Sequence, residues 1–470
     1  MSIFNNLKWN AISQLFKIAT QLISMIYLAR LIAPEDYGIM AMATVVTNFA
    51  ILFRDLGTSA AIVQRDSIDE SLKSAIFWLN LLLGIIVGTA ILFSSSYFSE
   101  LYDVPKLKPV LSLLSINFFL LGATSVHLSL LERESKFETI SKIEIFSFGS
   151  ALIIAIAMAY LNFGVYSLVT QSIVSTLLSS GLFWYLSSWS PRIKIENIFK
   201  NTKSIFSFSY QLSLFNFINY FARNLDSFLI GKYMSATILG AYNLAYRIML
   251  FPLTSITFIV NRSLFPILSK NKHKHAEVEK IYLNTVYTIW FITIPLIISL
   301  LCLNEMVINI IFGEKWHLSS SILVWLAPTA IIQSILSTTG IIFMSQGRTG
   351  ILVLLGVQGA ILTGIAFVIG VNDNITSLAK YYFIANLVHF FPCMALTMYV
   401  IKSNFYKLIL KTYPLFIAGF ISYCVIYILK KHLDHSFLSL VILTIICFVV
   451  FIVSLLPTKE VKNFINRLIK

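Results

Sequence analysis

The sequence predicts an all-α integral membrane protein of about 14 transmembrane helices, built as two six-helix lobes related by a parallel pseudo-twofold repeat plus two C-terminal helices. Three observations predict it. Of the 470 residues, 57% are apolar and only 12% charged, with a mean hydropathy of +0.83. A soluble domain carries about a quarter charged residues, so this chain has too little polar surface to cover a water-soluble body. Apolar runs long enough to cross a bilayer recur about every 30 residues along its whole length. Two segments 202 residues apart also repeat each other, each closing one apolar run and opening the next.

A span needs about 20 mainly apolar residues. In order, the expected spans are 10–32, 37–53, 74–94, 109–131, 143–162 and 165–187, which form a first lobe over 1–190. Then come 205–231, 237–260, 281–302, 318–344, 351–370 and 378–401, a second lobe over 204–402. Spans 409–429 and 437–456 follow within 408–457, and 458–470 is a cytoplasmic tail. The longest polar connections, near 54–73 and 261–280, are about 20 residues each, too short for an extramembrane catalytic domain. Lys8 and Lys17 interrupt any hydrophobic core of a cleavable signal peptide. Cys302, Cys393, Cys424 and Cys447 lie in or at the ends of apolar runs and give neither a disulfide framework nor a metal spacing.

The net charge of +14 would suggest nucleic acid in a soluble chain. Here it sets orientation, because basic loops stay cytoplasmic. With the N-terminus inside, 24 of the 35 basic residues fall in cytoplasmic loops and 6 in outer ones. That fourfold bias places both termini in the cytoplasm. The other five, Lys17, Arg30, Arg223, Arg247 and Lys380, lie within spans.

The repeat places 27–45 on 229–247, pairing Arg30 with Lys232, Gly38 with Gly240 and Ala43 with Ala245. Six spans lie in each repeat, so both units point the same way, a design common in transporters. The same offset carries the polar residues. Gln14, Lys17, Gln21 and Ser24 are spaced 3, 4 and 3, one face of a helix, and they land on Asn216, Asn219, Arg223 and Asp226. Such faces turn toward protein or water. Two readings stand: the stripes oppose each other across a central cavity, or they bind neighbouring helices by hydrogen bonds. Arg247 lies midway along its span, where an Arg costs roughly 2.5–3.5 kcal/mol on insertion scales; it is either a cavity cation or the ion-pair partner of Asp226. Lys17, Arg223 and Asp226 lie away from span centres, so a cavity role competes with snorkelling. Arg30, Lys232 and Lys380 read as interfacial anchors, and His127 and His389 as packing residues. The outer-loop group His432, Asp434 and His435 reads as a solvated turn, with no metal expected.

No phosphate-binding G-x-x-x-x-G-K-[ST] loop, HExxH or GxSxG motif is present, which argues against an enzyme. Asp226 is the one carboxylate expected well inside a span, the first choice for a proton or sodium site in an ion-driven machine. Pro252, Pro295, Pro328 and Pro392 fall inside second-lobe spans, while first-lobe prolines fall at span edges or in loops.

At these residues a family resemblance emerges. The runs LARLIAPEDYG at 28–38, RDLGTSAAIVQ at 54–64 and RNLDSFLIGKYMSATILGAYNLAYRIMLFP at 223–252 resemble Wzx-type polysaccharide flippases, most strongly the colanic-acid exporter branch. The resemblance implies the MATE-like fold of the multidrug/oligosaccharidyl-lipid/polysaccharide exporter superfamily. It implies a bacterial inner-membrane protein that moves an undecaprenyl-pyrophosphate-linked oligosaccharide repeat unit outward by alternating access, coupled to H+ or Na+ and without a cofactor. Lys17, Arg223 and Arg247 are then the cations for the pyrophosphate. Gln14, Gln21, Asn216 and Asn219 are the hydrogen-bonding groups for sugar. Membrane lipid holds the lipid tail, glycosyltransferases and a polysaccharide polymerase are pathway neighbours, nucleic acid is not a partner, and a monomer suffices. The alternatives are a small-molecule or multidrug antiporter of the same fold and a membrane polysaccharide-synthesis enzyme. The latter would need a catalytic centre in a sizeable outer loop.

Overall fold

The computed structural model describes residues 3–54, 62, 68–192, 220, 224–272 and 274–458. Among these residues every regular element is helical, and 12 helices are long and apolar enough to cross a membrane. The chain divides into two compact units, Met1–Gly240 and Ala241–Lys470.

In the first unit α1 spans Ile3–Ile23 and continues through a π-helical turn, Ser24–Leu28, to Leu31. After a short turn α2 spans Pro34–Arg54. Proline at its first position forgoes a hydrogen bond that no helix start can make, and Glu35 and Asp36 complement the positive end of the dipole. Helix α3, Glu70–Tyr102, opens on the Asp69 cap, whose carboxylate accepts from the Leu72 amide at 3.1 Å. It closes on Asp103 in the left-handed region, φ 54°. Helices α4 (Leu107–Arg133), α5 (Phe137–Tyr160) and α6 (Val165–Leu186) complete the set. Gly84 of α3 and Gly122 of α4 let those two helices cross closely: a Cβ on Gly84 would lie 2.5 Å from the Phe118 carbonyl, and one on Gly122 2.7 Å from that of Asn80. Helical residues 224–233 follow, and Lys232 Nζ donates to the Leu101 carbonyl at 2.5 Å.

Helix α7, Ala236–Lys270, fills the eighth expected span and runs through Pro252. The second unit then carries α8 (His275–Cys302), α9 (His317–Ser345), α10 (Thr349–Val371), α11 (Ile375–Val400), α12 (Phe405–Leu429) and α13 (Phe437–Leu455). Asn374, Asn404 and Ser436 cap α11, α12 and α13. One core cluster, including Tyr282, Trp290, Ile335, Met394, Leu415 and Phe451, joins α8 to α9, α11, α12 and α13. The outer face of α10 leaves Val353, Leu354, Val357 and Ile361 more than half exposed, an apolar surface that matches lipid rather than water.

Helix starts fall at or before those of the expected spans, and helix ends fall on both sides of theirs. The third span, expected at 74–94, is the 33-residue α3, and α7 reaches Lys270, so residues 271–274 replace an expected connection of about 20 residues. Hydropathy senses the hydrocarbon layer, whereas a helix satisfies its own backbone and continues into the headgroups and water. Pro295, Pro328 and Pro392 do lie inside helices, joined by Pro414 in α12. The seventh expected span, 205–231, falls largely outside the described residues.

Candidate functional site

The polar residues of α1 resolve into two faces. Ser13, Lys17, Thr20 and Ser24, spaced 4, 3 and 4, form the stripe turned toward α5 and α6. Glu144 of α5 grips this stripe with both carboxylate oxygens: Lys17 Nζ donates to Oε1 at 2.7 Å, and Ser13 Oγ donates to Oε2. The Lys17 ammonium also sits 5.5 Å from the centre of the Phe148 ring. Further along, Ser24 Oγ donates to Gln171 Oε1 of α6 at 3.0 Å. One turn below Glu144, Ser141 Oγ donates to the Trp9 carbonyl at 3.0 Å, while Lys142 lies over the Trp9 ring. Gln14 and Gln21 are exposed on the adjoining face. Lys17 lies nine residues into the candidate membrane span Lys8–Leu31, about 14 Å along the axis from its start.

Glu144 is the residue that sequence reasoning missed. It fell at the second position of the expected span 143–162 and looked like an end residue, but α5 begins at Phe137, two turns earlier. The readable signal was charge parity: a lysine in the middle of one helix calls for a counter-charge on a neighbour.

Asp226 is 6% exposed, and its Oδ1 accepts from the Ser227 amide at 2.6 Å. Close by in sequence, the Tyr220 hydroxyl donates to the Val45 carbonyl of α2 and its ring lies 5.7 Å from that of Phe49. Arg223, Asn216 and Asn219 lie outside the described residues.

In the second unit Arg247 lies 11 residues into the 35-residue α7, about 16 Å from its start. Its side chain is exposed and takes part in no ion pair among the described residues. Next to it in sequence, Tyr246 approaches Tyr382 of α11, ring centres 6.5 Å apart. Tyr382 stacks on Phe367 of α10 at 5.2 Å. Its hydroxyl accepts from Gln333 Nε2 of α9 at 2.6 Å, and Gln333 also reaches Asn386 Oδ1 at 3.2 Å. Four helices thus converge on a mid-helix group of amides and aromatic rings.

The remaining singled-out residues are structural. His127 is fully buried, 4.3 Å from the Trp184 ring, with Nδ1 2.6 Å from Ser187 Oγ. His389 packs against Gly359 and Cys393. Lys380 lies over the Trp325 ring.

Residues 27–321, well over half of the chain, match the family described as polysaccharide biosynthesis protein. The chain belongs to that family. The segments 28–38 and 223–252, which carried the resemblance to Wzx-type flippases, lie inside the match. Among curated relatives, the teichuronic acid biosynthesis protein TuaB of Bacillus subtilis is 29% identical over 421 residues, 86% of this chain and 83% of TuaB. The lipopolysaccharide biosynthesis protein WzxC of Escherichia coli is 25% identical over 348 residues, 73% of this chain and 70% of WzxC. Among solved structures, the lipid II flippase MurJ in an inward closed conformation superimposes with a TM-score of 0.73 at 15% identity, covering 94% of this chain and 97% of MurJ. An inward-facing multidrug resistance MATE family transporter gives 0.65 at 15% identity, covering 83% and 94%. At such identities the likeness is one of fold, and the MATE-like architecture is the one expected from the sequence. This family member is a multi-pass membrane protein.

Proposed function

We propose that the chain is a flippase, a transporter and not an enzyme, that carries a lipid-linked oligosaccharide across the bacterial inner membrane. The cargo is an undecaprenyl-pyrophosphate-linked repeat unit, taken from the cytoplasmic face to the outer face by alternating access. Lobes 1–190 and 204–402, the helices within 408–457 and the tail 458–470 are its parts, with both termini cytoplasmic. Family membership supports this reading, as do relatives named for teichuronic acid and lipopolysaccharide biosynthesis.

The observation that carries it is Arg247, a cation 11 residues into α7, the helix that fills the eighth span expected from the sequence, exposed and outside every ion pair among the described residues. A pyrophosphate cannot enter hydrocarbon without replacement of its hydration, and a guanidinium offers paired, charge-assisted hydrogen bonds to phosphate oxygens. Lys17 and Arg223 are the other cations assigned to it. Gln14, Gln21, Asn216 and Asn219 are assigned to sugar hydroxyls, and Asp226 to the H+ or Na+ that drives the cycle. Enzymes that build lipid-linked sugars supply the cargo, and a polymerising enzyme consumes it. Deleting the gene tests the reading: accumulation of undecaprenyl-pyrophosphate oligosaccharide on the cytoplasmic face is expected, whereas loss of the oligosaccharide itself would point to a synthetic enzyme.

A further inference from the structure

We propose that Glu144 is an internal counter-ion for Lys17: it occupies the ammonium while the carrier is empty and gives way to a pyrophosphate. The inference rests on the flippase reading and names how one of its anion contacts is controlled.

The geometry supplies the exchange. Glu144 holds Lys17 at 2.7 Å with one oxygen and Ser13 with the other, so its two ligands both come from α1. The side chains are 30% and 23% exposed, partly shielded but open to a competing anion. An empty carrier with a bare mid-helix lysine would bear an uncompensated charge inside the membrane; the carboxylate removes that cost. A pyrophosphate reaching Lys17 competes for the same ammonium, and Glu144 loses its cation.

What surrounds Glu144 leaves Lys17 as its cation. On α4, Arg133 donates to the Ile62 carbonyl at 2.7 Å. On α5 itself, Lys142 is committed to Glu138 at 2.7 Å. Helix α6 carries no charged or histidine side chain. On α1, Lys8 is exposed nine residues before Lys17, and Arg30 is thirteen residues beyond it. Lys17 is thus the cation paired with Glu144 among the described residues.

The test is calorimetric titration of the purified full-length protein with farnesyl pyrophosphate. Glu144→Gln removes the competitor, so affinity should rise about tenfold over the wild type. Glu144→Asp, which keeps the charge but shortens the arm, should bind with intermediate affinity; this variant decides the matter if the glutamine variant does not fold. Unchanged affinity in the variants would overturn the counter-ion while leaving the flippase standing. A folded wild type that does not bind the pyrophosphate at all would overturn both.

Discussion

Gly38 and Gly240 meet where two helix starts cross, and each faces the carbonyl of the residue four positions before the other. A Cβ on Gly38 would collide with the Ala236 carbonyl, one on Gly240 with the Pro34 carbonyl, and the latter would also lie 3.0 Å from the Gly38 amide nitrogen. Pro34 and Ala236, like Gly38 and Gly240, are 202 residues apart. Each of the two contacts is the counterpart of the other under the 202-residue offset.

The crossing leaves no room for a methyl group. Gly38→Ala and Gly240→Ala should each destabilise the protein by about 1–3 kcal/mol, the usual range for overpacking a tight contact. The double variant should cost less than the sum, since both changes push the same pair of helices apart. Thermal unfolding in detergent measures this; wild-type melting of either single variant would contradict the packing.

Arg247→Ala should cut export of lipid-linked oligosaccharide by about tenfold or more, as expected for loss of a charge-assisted contact of about 1.5–3 kcal/mol. Membrane levels should stay normal, because Arg247 is in no ion pair among the described residues. Arg247→Lys should restore part of the activity, keeping the charge and losing the paired geometry. Export assayed in a deletion strain at matched protein levels separates these outcomes.

Tyr382→Phe removes the oxygen that Gln333 reaches at 2.6 Å but keeps the ring stacked on Phe367. Hydrogen bonds between membrane helices average about 0.6 kcal/mol, because the membrane-inserted unfolded state also finds partners. Tyr382→Phe should therefore lower stability by well under ~2 kcal/mol, and Tyr382→Ala by clearly more. Equal losses in the two variants, read as melting temperatures, would mean the ring contributes nothing.

Gly164→Ala tests the turn between α5 and α6. Gly164 has φ +57° and ψ −128°, a conformation essentially reserved for glycine, and a Cβ there would lie 2.6 Å from the Asp36 carboxylate. Backbone strain of about 1–3 kcal/mol is expected. The companion change Asp36→Ala should relieve the clash but not the strain, so the double variant should recover only part of the loss on unfolding.

The fold was legible because hydrocarbon imposes a length and a composition on every span, and these survive without tertiary knowledge. The repeat was legible for a sharper reason. Gly38 and Gly240 are retained at a backbone contact that tolerates no side chain, so the offset that aligns them aligns the helices. The candidate site was less readable. The stripe 14, 17, 21, 24 is one helical face by spacing, but a neighbour selects a narrower arc: Glu144 takes Lys17 together with Ser13, and Gln14 and Gln21 stay outside it. Partner choice depends on which helix packs against α1 and where that helix begins, and hydropathy placed the start of α5 two turns late. The group of Gln333, Tyr382 and Asn386 was open to notice from the i, i+4 pair in the twelfth span, but it carries no charge to draw attention.

The π-helical turn at Ser24–Leu28 lies between Lys17 and Arg30. Such a turn holds one residue more than the α-helical ladder requires, a dislocation in the hydrogen-bond register. If the dislocation is expelled or moved along the helix, the segment beyond it rotates by about 100° relative to the segment before it. The half of α1 clamped by Glu144 and the half that ends at Arg30 are therefore joined by a torsional clutch, not a rigid shaft.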